Sequence, residues 1–294
     1  MEPFKEALAC SMASLVIPPL LNWAEVTKSV QQVKVGDALY ASPARTMNQI
    51  VKSGGGVGSG GLKRLALTGL DSSMAREVFY NASRWVLYGA ISKHMLSSSE
   101  DGSSERFATR FTAGFLCGVV GSLAANPFDL IRVRQQSMAL EGMRGAPSVI
   151  REVLSNRGSS FFTLYSGWQV NCVRAGLFTG GSMMSYELVK SELNVLRDGK
   201  EDFWTHTVAG GAMGIVGTLL YMPADAVRTA IYNQSARGVH VDVKTAALVA
   251  SHIYQTGGLA RFWRGTLPAA ARTVPACTLF PVAMEQSRSL LGLD

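Results

Sequence analysis

The stretch AGFLCGVVGSLAANPFDLIRVRQQ at residues 113–136 returns as AGGAMGIVGTLLYMPADAVRTAIYNQ at residues 209–234. In both copies three glycines lie 13, 9 and 6 residues before a proline, which opens a Pro-x-Asp-x-x-Arg element. Glycines four residues apart share one helix face and let neighbouring helix backbones approach closely in lipid. The apolar runs reach the length of about 20 residues that a membrane span needs. The stretch therefore predicts a repeated transmembrane helix that ends in charged side chains.

A second pattern divides the whole chain into three. Three glycines, each followed seven residues later by an arginine, recur at intervals of 98 residues. The pairs are Gly69/Arg76, Gly167/Arg174 and Gly265/Arg272. We therefore interpret the chain as a single domain over 1–294 that contains one unit three times: repeat one at 1–100, repeat two at 101–198 and repeat three at 199–294. One arginine per copy predicts an anion site on a pseudo-threefold axis. The alternative is arginines that reach the lipid head groups, but two turns beyond the glycine is deeper than that needs.

Composition supports a membrane bundle with a polar interior. Hydrophobic residues make up 47% of the chain and the mean hydropathy is +0.15, between the values for soluble proteins and for helices that face lipid all round. The net charge of +7 suits anionic lipid, an anionic solute or nucleic acid, and a general solubility charge is the other interpretation. Because the basic residues are spread over the repeats, we expect no nucleic-acid binding.

The remaining compositional signals exclude several site types. The four cysteines lack CxxC or Cys/His spacing, so we expect reduced, buried thiols and no metal site. The N-terminal residues show no basic region before their apolar stretch, which predicts no cleaved signal or transit peptide. No constellation of catalytic residues is apparent, and we expect no enzyme activity.

Each opening helix ends in an acid and, three residues later, a cation. The pairs are Glu25/Lys28, Asp129/Arg132 and Asp225/Arg228, and we call these six residues the first charge layer. In repeat one Trp23 replaces the proline that should kink the helix. An exposed pair on one helix would contribute only tenths of a kcal/mol. Unpaired charges at membrane depth are costly, so we expect the six to meet at one end of the bundle.

The second helix of each repeat ends in another set of charges. Repeats two and three carry Glu187, Lys190, Glu285 and Arg288, which we call the second charge layer. Repeat one has Gly89 and Ser92 at the equivalent positions, with Lys93 adjacent.

Between the helices, residues 146–154 and 243–254 predict short amphipathic helices of the kind that lie at a membrane interface. Repeat one instead carries a glycine-rich run at 53–61, which predicts a flexible loop. It lacks the GK[ST] ending of a phosphate-binding loop. Aromatic residues beside the starts of the second helices of repeats two and three could bind a lipid phosphate there.

The three in-phase repeats, the Pro-x-[Asp/Glu]-x-x-[Lys/Arg] elements and the glycine offsets resemble the mitochondrial carrier family over essentially the whole chain. The resemblance implies an all-α membrane protein of six tilted transmembrane helices around a solute cavity, with three short helices on the matrix side. It also implies a multi-pass monomer of the mitochondrial inner membrane, in contact with anionic lipid. No cofactor is expected, apart from bound cardiolipin.

The resemblance further implies that the first charge layer is a matrix gate and the second a cytoplasmic gate. In the matrix gate the acid of one repeat would pair with the cation of the next: Glu25 with Arg132, Asp129 with Arg228, and Asp225 with Lys28. Gln32 and Gln136 fall at the bracing position of the family, where repeat three has Tyr232. In the cytoplasmic gate Glu187 would pair with Arg288, whereas Lys190 and Glu285 lose their partners to Gly89 and Ser92.

Within the family, an arginine at all three central positions resembles the dicarboxylate, oxoglutarate and uncoupling-protein branch. Tyr80 and Arg84 lie on the same helix face as Arg76 and resemble cavity residues of the oxoglutarate carrier. We expect Arg76, Tyr80, Arg84, Arg174 and Arg272 to bind the solute, and the chain to exchange small dicarboxylates by alternating access. Three alternatives remain: an uncoupling-type leak of protons or fatty-acid anions, a non-transporting membrane adaptor, and an amino-acid carrier in which Glu77 supplies an acid.

Overall fold

The structure is a computed structural model that describes residues 2–34, 37–57, 60–95, 103–155, 164–196, 203–235 and 243–292. The regular elements in these ranges are helical, and eleven of them are α-helices. They are α1 (Glu2–Leu15), α2 (Ile17–Val33), α3 (Pro43–Ser53), α4 (Gly61–Leu67), α5 (Leu70–Met95), α6 (Ser103–Ser137), α7 (Ala146–Ser155), α8 (Trp168–Leu196), α9 (Phe203–Ser235), α10 (Val243–Gly257) and α11 (Thr266–Leu290). Short 3-10 helices cover Ala38–Tyr40 and Leu259–Trp263.

The long helices form a closed ring of six segments. The α1–α2 segment packs on α5, α5 on α6, α6 on α8, α8 on α9 and α9 on α11, which returns to α1 and α2. The opening helices α2, α6 and α9 also contact one another directly. The all-α fold that the sequence predicts is therefore confirmed, with two long segments and one short amphipathic helix in each third.

Two of the described helical stretches, Phe107–Ser137 and Thr207–Tyr232, are long and apolar enough to cross a membrane by composition alone. These stretches contain the repeated glycine sequence of the second and third repeats. The other long segments in the described part of the chain do not meet this test of length and composition.

Neighbouring helix backbones approach closely at the repeated glycines. A Cβ added to Gly118 of α6 would lie 2.6 Å from the carbonyl oxygen of Ala175, and one added to Gly114 would lie 3.0 Å from that of Thr179. The same relation holds between α9 and α11, where a Cβ on Gly214 would lie 2.9 Å from Val274 Cα. Glycine is required here because any side chain would separate the two backbones.

This packing predicts opposite effects for two glycine-to-alanine changes. We expect Gly118→Ala to lower the stability of the protein by about 1–3 kcal/mol, because the added methyl meets a backbone carbonyl that cannot move alone. Gly211 is also inside a helix, but an added Cβ would have no atom within 4 Å. Gly211→Ala should therefore leave the stability unchanged or raise it by up to about 1 kcal/mol through helix propensity. Thermal unfolding of the purified variants checks both, and equal midpoints would contradict the assignment of the α6–α8 contact.

The second helix of each repeat begins where the sequence predicts, one residue after a conformationally special glycine. Gly69, Gly167 and Gly265 have φ values of 71°, 75° and 88°, a region that residues with a side chain rarely adopt. Each glycine also packs on the opening helix of the next repeat, against Gln136, Tyr232 and Gln32 respectively. The 98-residue spacing thus reports a docking point between successive repeats.

Repeat one departs from its siblings at its first helix. The helix is interrupted at Val16, between α1 and α2, and then continues through Trp23. Pro18 and Pro19 lie in the first turn of α2, where missing N–H donors are tolerated. By contrast, α6 and α9 continue through Pro127 and Pro223. The prolines of repeat one therefore mark the interruption, and they lie five and four residues before Trp23, which occupies the usual proline position.

One prediction about repeat one was wrong. The glycine-rich run does not replace the short amphipathic helix, because α3 precedes the run and α4 follows it. The apolar face of α3 places Ile50 in a core with Val26, Val30 and Leu65. The helical signal was present in Ser42-Pro43 and in the spacing of Met47, Ile50 and Val51. Residues 58 and 59 of the run lie outside the described residues.

Candidate functional site

The first charge layer is assembled where the C-terminal halves of α2, α6 and α9 meet. Arg132 Nη1 lies 2.8 Å from Glu25 Oε2, Arg228 Nη2 lies 2.9 Å from Asp129 Oδ1, and Lys28 Nζ lies 2.7 Å from Asp225 Oδ2. Two acids also bind the cation of their own helix, as in Arg132–Asp129 at 3.0 Å and Arg228–Asp225 at 3.1 Å. The three cross-repeat ion pairs implied by the resemblance are thus present, and their action as a gate stays a prediction.

The layer is deeply buried. Asp129 is 0% exposed, Asp225 1% and Arg228 2%. Three acids face three cations, so the layer is close to neutral by itself. Removing one member of a buried pair leaves an uncompensated charge, so loss of any one of these six side chains is expected to destabilise this closed arrangement strongly.

The predicted bracing residues behave differently from one another. Gln32 Nε2 donates to Asp225 Oδ2 at 2.9 Å, and its Oε1 accepts from Thr229 Oγ1 at 2.8 Å. Gln136 instead accepts from Ser29 Oγ at 3.1 Å and donates to Asn22 Oδ1 at 3.2 Å, which ties α6 to α2 beside the ion pairs.

Tyr232 occupies the third bracing position. Its ring lies 5.0 Å from the Arg228 guanidinium, and its hydroxyl donates to Asn126 Oδ1 at 2.9 Å. An aromatic ring stacked under a cation supports the ion pair of Arg228 without a direct hydrogen bond to an acid.

The three central arginines lie next to this layer and contact its acids. Arg76 Nε is 3.4 Å from Asp129 Oδ1, Arg174 Nε is 3.9 Å from Asp225 Oδ1, and Arg272 Nε is 3.1 Å from Glu25 Oε1. Each arginine therefore points to the acid of the next repeat, in threefold order. Arg76 is 8% and Arg174 7% exposed, which excludes the interpretation that these side chains reach the head groups.

Above the arginines is a cavity of about 1030 Å³, a volume that includes the open space at its mouth. Arg76, Arg174 and Arg272 form its floor, and Tyr80 and Arg84 continue up the α5 wall. The Tyr80 ring lies between the Arg76 and Arg84 guanidiniums, at 4.6 and 5.7 Å. All five residues that the sequence analysis assigned to the solute thus line one cavity, and binding by them stays a prediction.

Two cavity neighbours were missed by the sequence analysis. Asn171 donates to Asp129 Oδ2 at 3.1 Å and accepts from Arg174 Nε at 3.2 Å. Tyr221 accepts from Lys28 Nζ at 3.5 Å, and its ring lies 5.6 Å from the Arg174 guanidinium. Both connect a central arginine to the first charge layer. Neither is repeated in the other thirds of the chain, so the repeat pattern carried no signal for them.

The second charge layer lies at the opposite ends of α8 and α11. Glu187 pairs with Arg110 of α6 at 2.7 Å, a partner that the sequence analysis did not consider. Its pairing with Arg288, and the partner of Lys190, stay predictions for a conformation in which this end is closed. The side chains of Ser92, Lys93 and Glu285, and the surroundings of Gly89, lie outside the described part of the structure.

All four cysteines are buried, as predicted, and they are not joined in disulfides. Cys277 of α11 lines the cavity.

Comparison with known proteins agrees with this geometry. The family model described as mitochondrial carrier protein matches residues 103–195 and 199–294, the second and third repeats. The chain is 28% identical over 235 residues to mitochondrial uncoupling protein 3 of Arabidopsis thaliana, which covers 77% of this chain and 75% of that protein. It is 26% identical over 230 residues to a mitochondrial dicarboxylate transporter of Saccharomyces cerevisiae, covering 74% and 73%. A mitochondrial substrate carrier family protein of Dictyostelium discoideum is 24% identical over 294 residues, covering 97% and 94%.

Proposed function

Because the chain belongs to the mitochondrial carrier family of transporters, we propose that it exchanges small dicarboxylates across the mitochondrial inner membrane by alternating access. The observation that carries this proposal is the set of three central arginines, each of which contacts both the cavity and an acid of the first charge layer. Relatives named as dicarboxylate transporters support the choice of solute class.

The charge balance of the cavity favours an anionic solute. The three acids of the first charge layer already face three cations of their own. The cavity lining adds four positive charges, those of Arg76, Arg84, Arg174 and Arg272, and Glu77 supplies one negative charge among them. Arginine does not lose its proton at any physiological pH. A dianion that bridges two or three guanidiniums compensates this excess with charge-assisted, often bidentate, hydrogen bonds.

The same contacts couple the solute to the matrix gate. A solute carboxylate competes with Glu25, Asp129 and Asp225 for the central arginines. When an arginine turns to the solute, the acid of the next repeat loses one of its cations and the gate is weakened. The solute thus binds the open-gate conformation better than the closed one, which is the differential affinity that any ligand-driven conformational change needs.

In this proposal the two charge layers alternate. The matrix gate of Glu25, Lys28, Asp129, Arg132, Asp225 and Arg228 is closed in the present structure, with Gln32 and Gln136 as supports. The cytoplasmic gate of Glu187, Lys190, Glu285 and Arg288 closes when α5, α8 and α11 move inward around the solute. Arg110 releases Glu187 in that step, because it holds Glu187 in the present conformation.

The proposal includes a monomer that binds anionic lipid such as cardiolipin at its matrix-side rim. Trp168 and Trp263 stand beside the starts of α8 and α11, and each is 40% exposed. Exposed aromatic rings next to a helix N-terminus suit a lipid phosphate. Native mass spectrometry of the purified protein tests this: retained cardiolipin on a single chain supports it, and a lipid-free or dimeric species opposes it.

Transport in liposomes tests the proposed function. Purified protein should take up labelled malate or oxoglutarate when the vesicles contain either solute, and uptake should fall strongly when they are empty. A second candidate is the uncoupling-type leak, since several relatives carry that name. Proton conductance without dicarboxylate uptake would favour the leak, and no flux of either kind would favour a non-transporting adaptor.

A further inference from the structure

Glu77 occupies an unusual place at the bottom of the cavity. Its Oε1 accepts a hydrogen bond from Arg76 Nη1 at 2.5 Å and one from Arg272 Nη2 at 3.1 Å. Its Oε2 accepts from Asn81 Nδ2 at 3.1 Å. Both oxygens are therefore engaged, and one of them joins two of the three central arginines. This is the contact that a solute carboxylate would make.

The bridge also crosses the cavity. Arg272 belongs to α11 and Glu77 to α5, two second helices of different repeats that are separated in the ring by the α1–α2 segment. Glu77 is 9% exposed and lines the cavity together with both arginines. An ion pair across the floor of the cavity thus exists without any solute.

Glu77 departs from the threefold pattern. The residues at its 98-residue equivalents are Ala175 and Thr273, whereas the arginine before it is present in all three repeats. The first charge layer is also present in all three. A carboxylate that occurs in one repeat only, among arginines that occur in all three, belongs neither to a threefold gate nor to the packing between repeats. Its place in the cavity points to the solute instead.

We propose that Glu77 is a tethered carboxylate that competes with the solute for Arg76 and Arg272, and so sets the affinity and charge selectivity of the site. The inference rests on the proposed function and deepens it. A solute must displace the Glu77 carboxylate from one arginine or both before it can bridge them. Dianions do this better than monoanions, because each extra carboxylate finds Arg174 or Arg84 as a further partner. Glu77 thereby lowers the affinity for every anion and disfavours singly charged ones most.

Glu77 also affects the carrier when no solute is bound. Since Glu77 already links α5 to α11, it substitutes in part for the solute that would draw these helices together. Removal of the carboxylate should make return of the empty carrier harder. Transport should then depend more strictly on a counter-solute.

Glu77→Gln tests the proposal, because the expected result is a higher affinity for the solute, which a misfolded protein cannot show. Glutamine keeps the size of the side chain and removes its charge. In liposomes loaded with malate, the KM for malate should fall roughly threefold to tenfold, because bonds of this charge-assisted kind must otherwise be broken. The KM for a monocarboxylate should fall by a larger factor, and the ratio of uptake into loaded and empty vesicles should rise. Glu141→Gln is the matched control, since its carboxylate is exposed on the turn after α6.

A binding measurement separates failure of this inference from failure of the proposed function. Sulfate serves as a dianion probe in thermal unfolding of the purified protein, whether or not malate is transported. Sulfate should raise the unfolding midpoint of Glu77→Gln more than that of the wild-type chain. If Glu77→Gln does not survive purification, Glu77→Asp shortens the side chain, breaks the bridge to Arg272 and should show the same gain to a smaller degree. Equal sulfate stabilisation of variant and wild type, or an unchanged or higher KM for malate, would overturn the proposal.

Discussion

Arg174→Ala is expected to lower malate exchange in liposomes by about 30-fold or more while the protein remains folded. Among the central arginines, Arg174 has the longest contact to the first charge layer, 3.9 Å to Asp225, and its guanidinium is hydrogen-bonded to Asn171. Its removal therefore takes away a solute contact with little effect on the matrix gate. Loss of one partner of a buried, hydrogen-bonded charge pair costs about 2–5 kcal/mol, and each 1.4 kcal/mol is about tenfold.

Two further variants give the Arg174 result its meaning. Arg174→Lys keeps the charge but loses the planar fork that binds a carboxylate through two bonds, so its exchange rate should lie between wild type and alanine. Arg151→Ala removes an exposed arginine on α7 and should leave exchange unchanged. Wild-type exchange by Arg174→Ala would show that this arginine does not contact the solute.

Asp129→Asn is expected to be the most destabilising single change in the first charge layer. Asp129 is fully buried, accepts hydrogen bonds from Arg228 at 2.9 Å and from Arg132 at 3.0 Å, and lies 3.4 Å from Arg76 Nε. An amide leaves these three guanidiniums without their shared counter-charge. Breaking such a buried arrangement typically costs about 3–5 kcal/mol. A large fall in the thermal unfolding midpoint, together with loss of exchange, is the expected result.

A surface pair provides the control for Asp129. Glu152 of α7 binds Arg134 and Arg144 at 2.9 and 2.8 Å, but its side chain is 25% exposed. The same acid-to-amide change there should cost at most about 1 kcal/mol. If Asp129→Asn and Glu152→Gln lowered the thermal unfolding midpoint equally, the ion pairs of the first charge layer would be no more important to stability than a surface pair.

Much of the fold could be predicted because the same sequence pattern occurs in all three repeats. The 98-residue spacing located the starts of α5, α8 and α11, since only a glycine suits the positive φ found there. The acid and cation at the end of each opening helix predicted that these six charges meet, and the resemblance to the carrier family implied the pairing Glu25–Arg132, Asp129–Arg228 and Asp225–Lys28. A repeated pattern reports contacts between repeats, and these contacts are of that kind.

The rest depends on features that occur once. Asn171 and Tyr221 join central arginines to the first charge layer, but their equivalents in the other repeats are different residues. The pairing of Glu187 with Arg110 depends on how far α6 and α8 are separated at that end, which no local pattern records. Gln136 contacts Ser29 and Asn22 of α2. Gln32 instead contacts Asp225 and Thr229 of α9, so the two bracing positions meet different polar groups.

Solute binding should open the matrix gate, and the accessibility of Ser29 measures this coupling most directly. Ser29 follows Lys28 in α2, is 7% exposed, and donates to Gln136 inside the closed gate. In Ser29→Cys, with the parent chain and its four buried cysteines as background, a maleimide should react slowly with the thiol. Malate should accelerate the reaction severalfold, and adding Arg174→Ala should abolish that acceleration. A labelling rate that malate leaves unchanged, or an acceleration that persists without Arg174, would contradict the account.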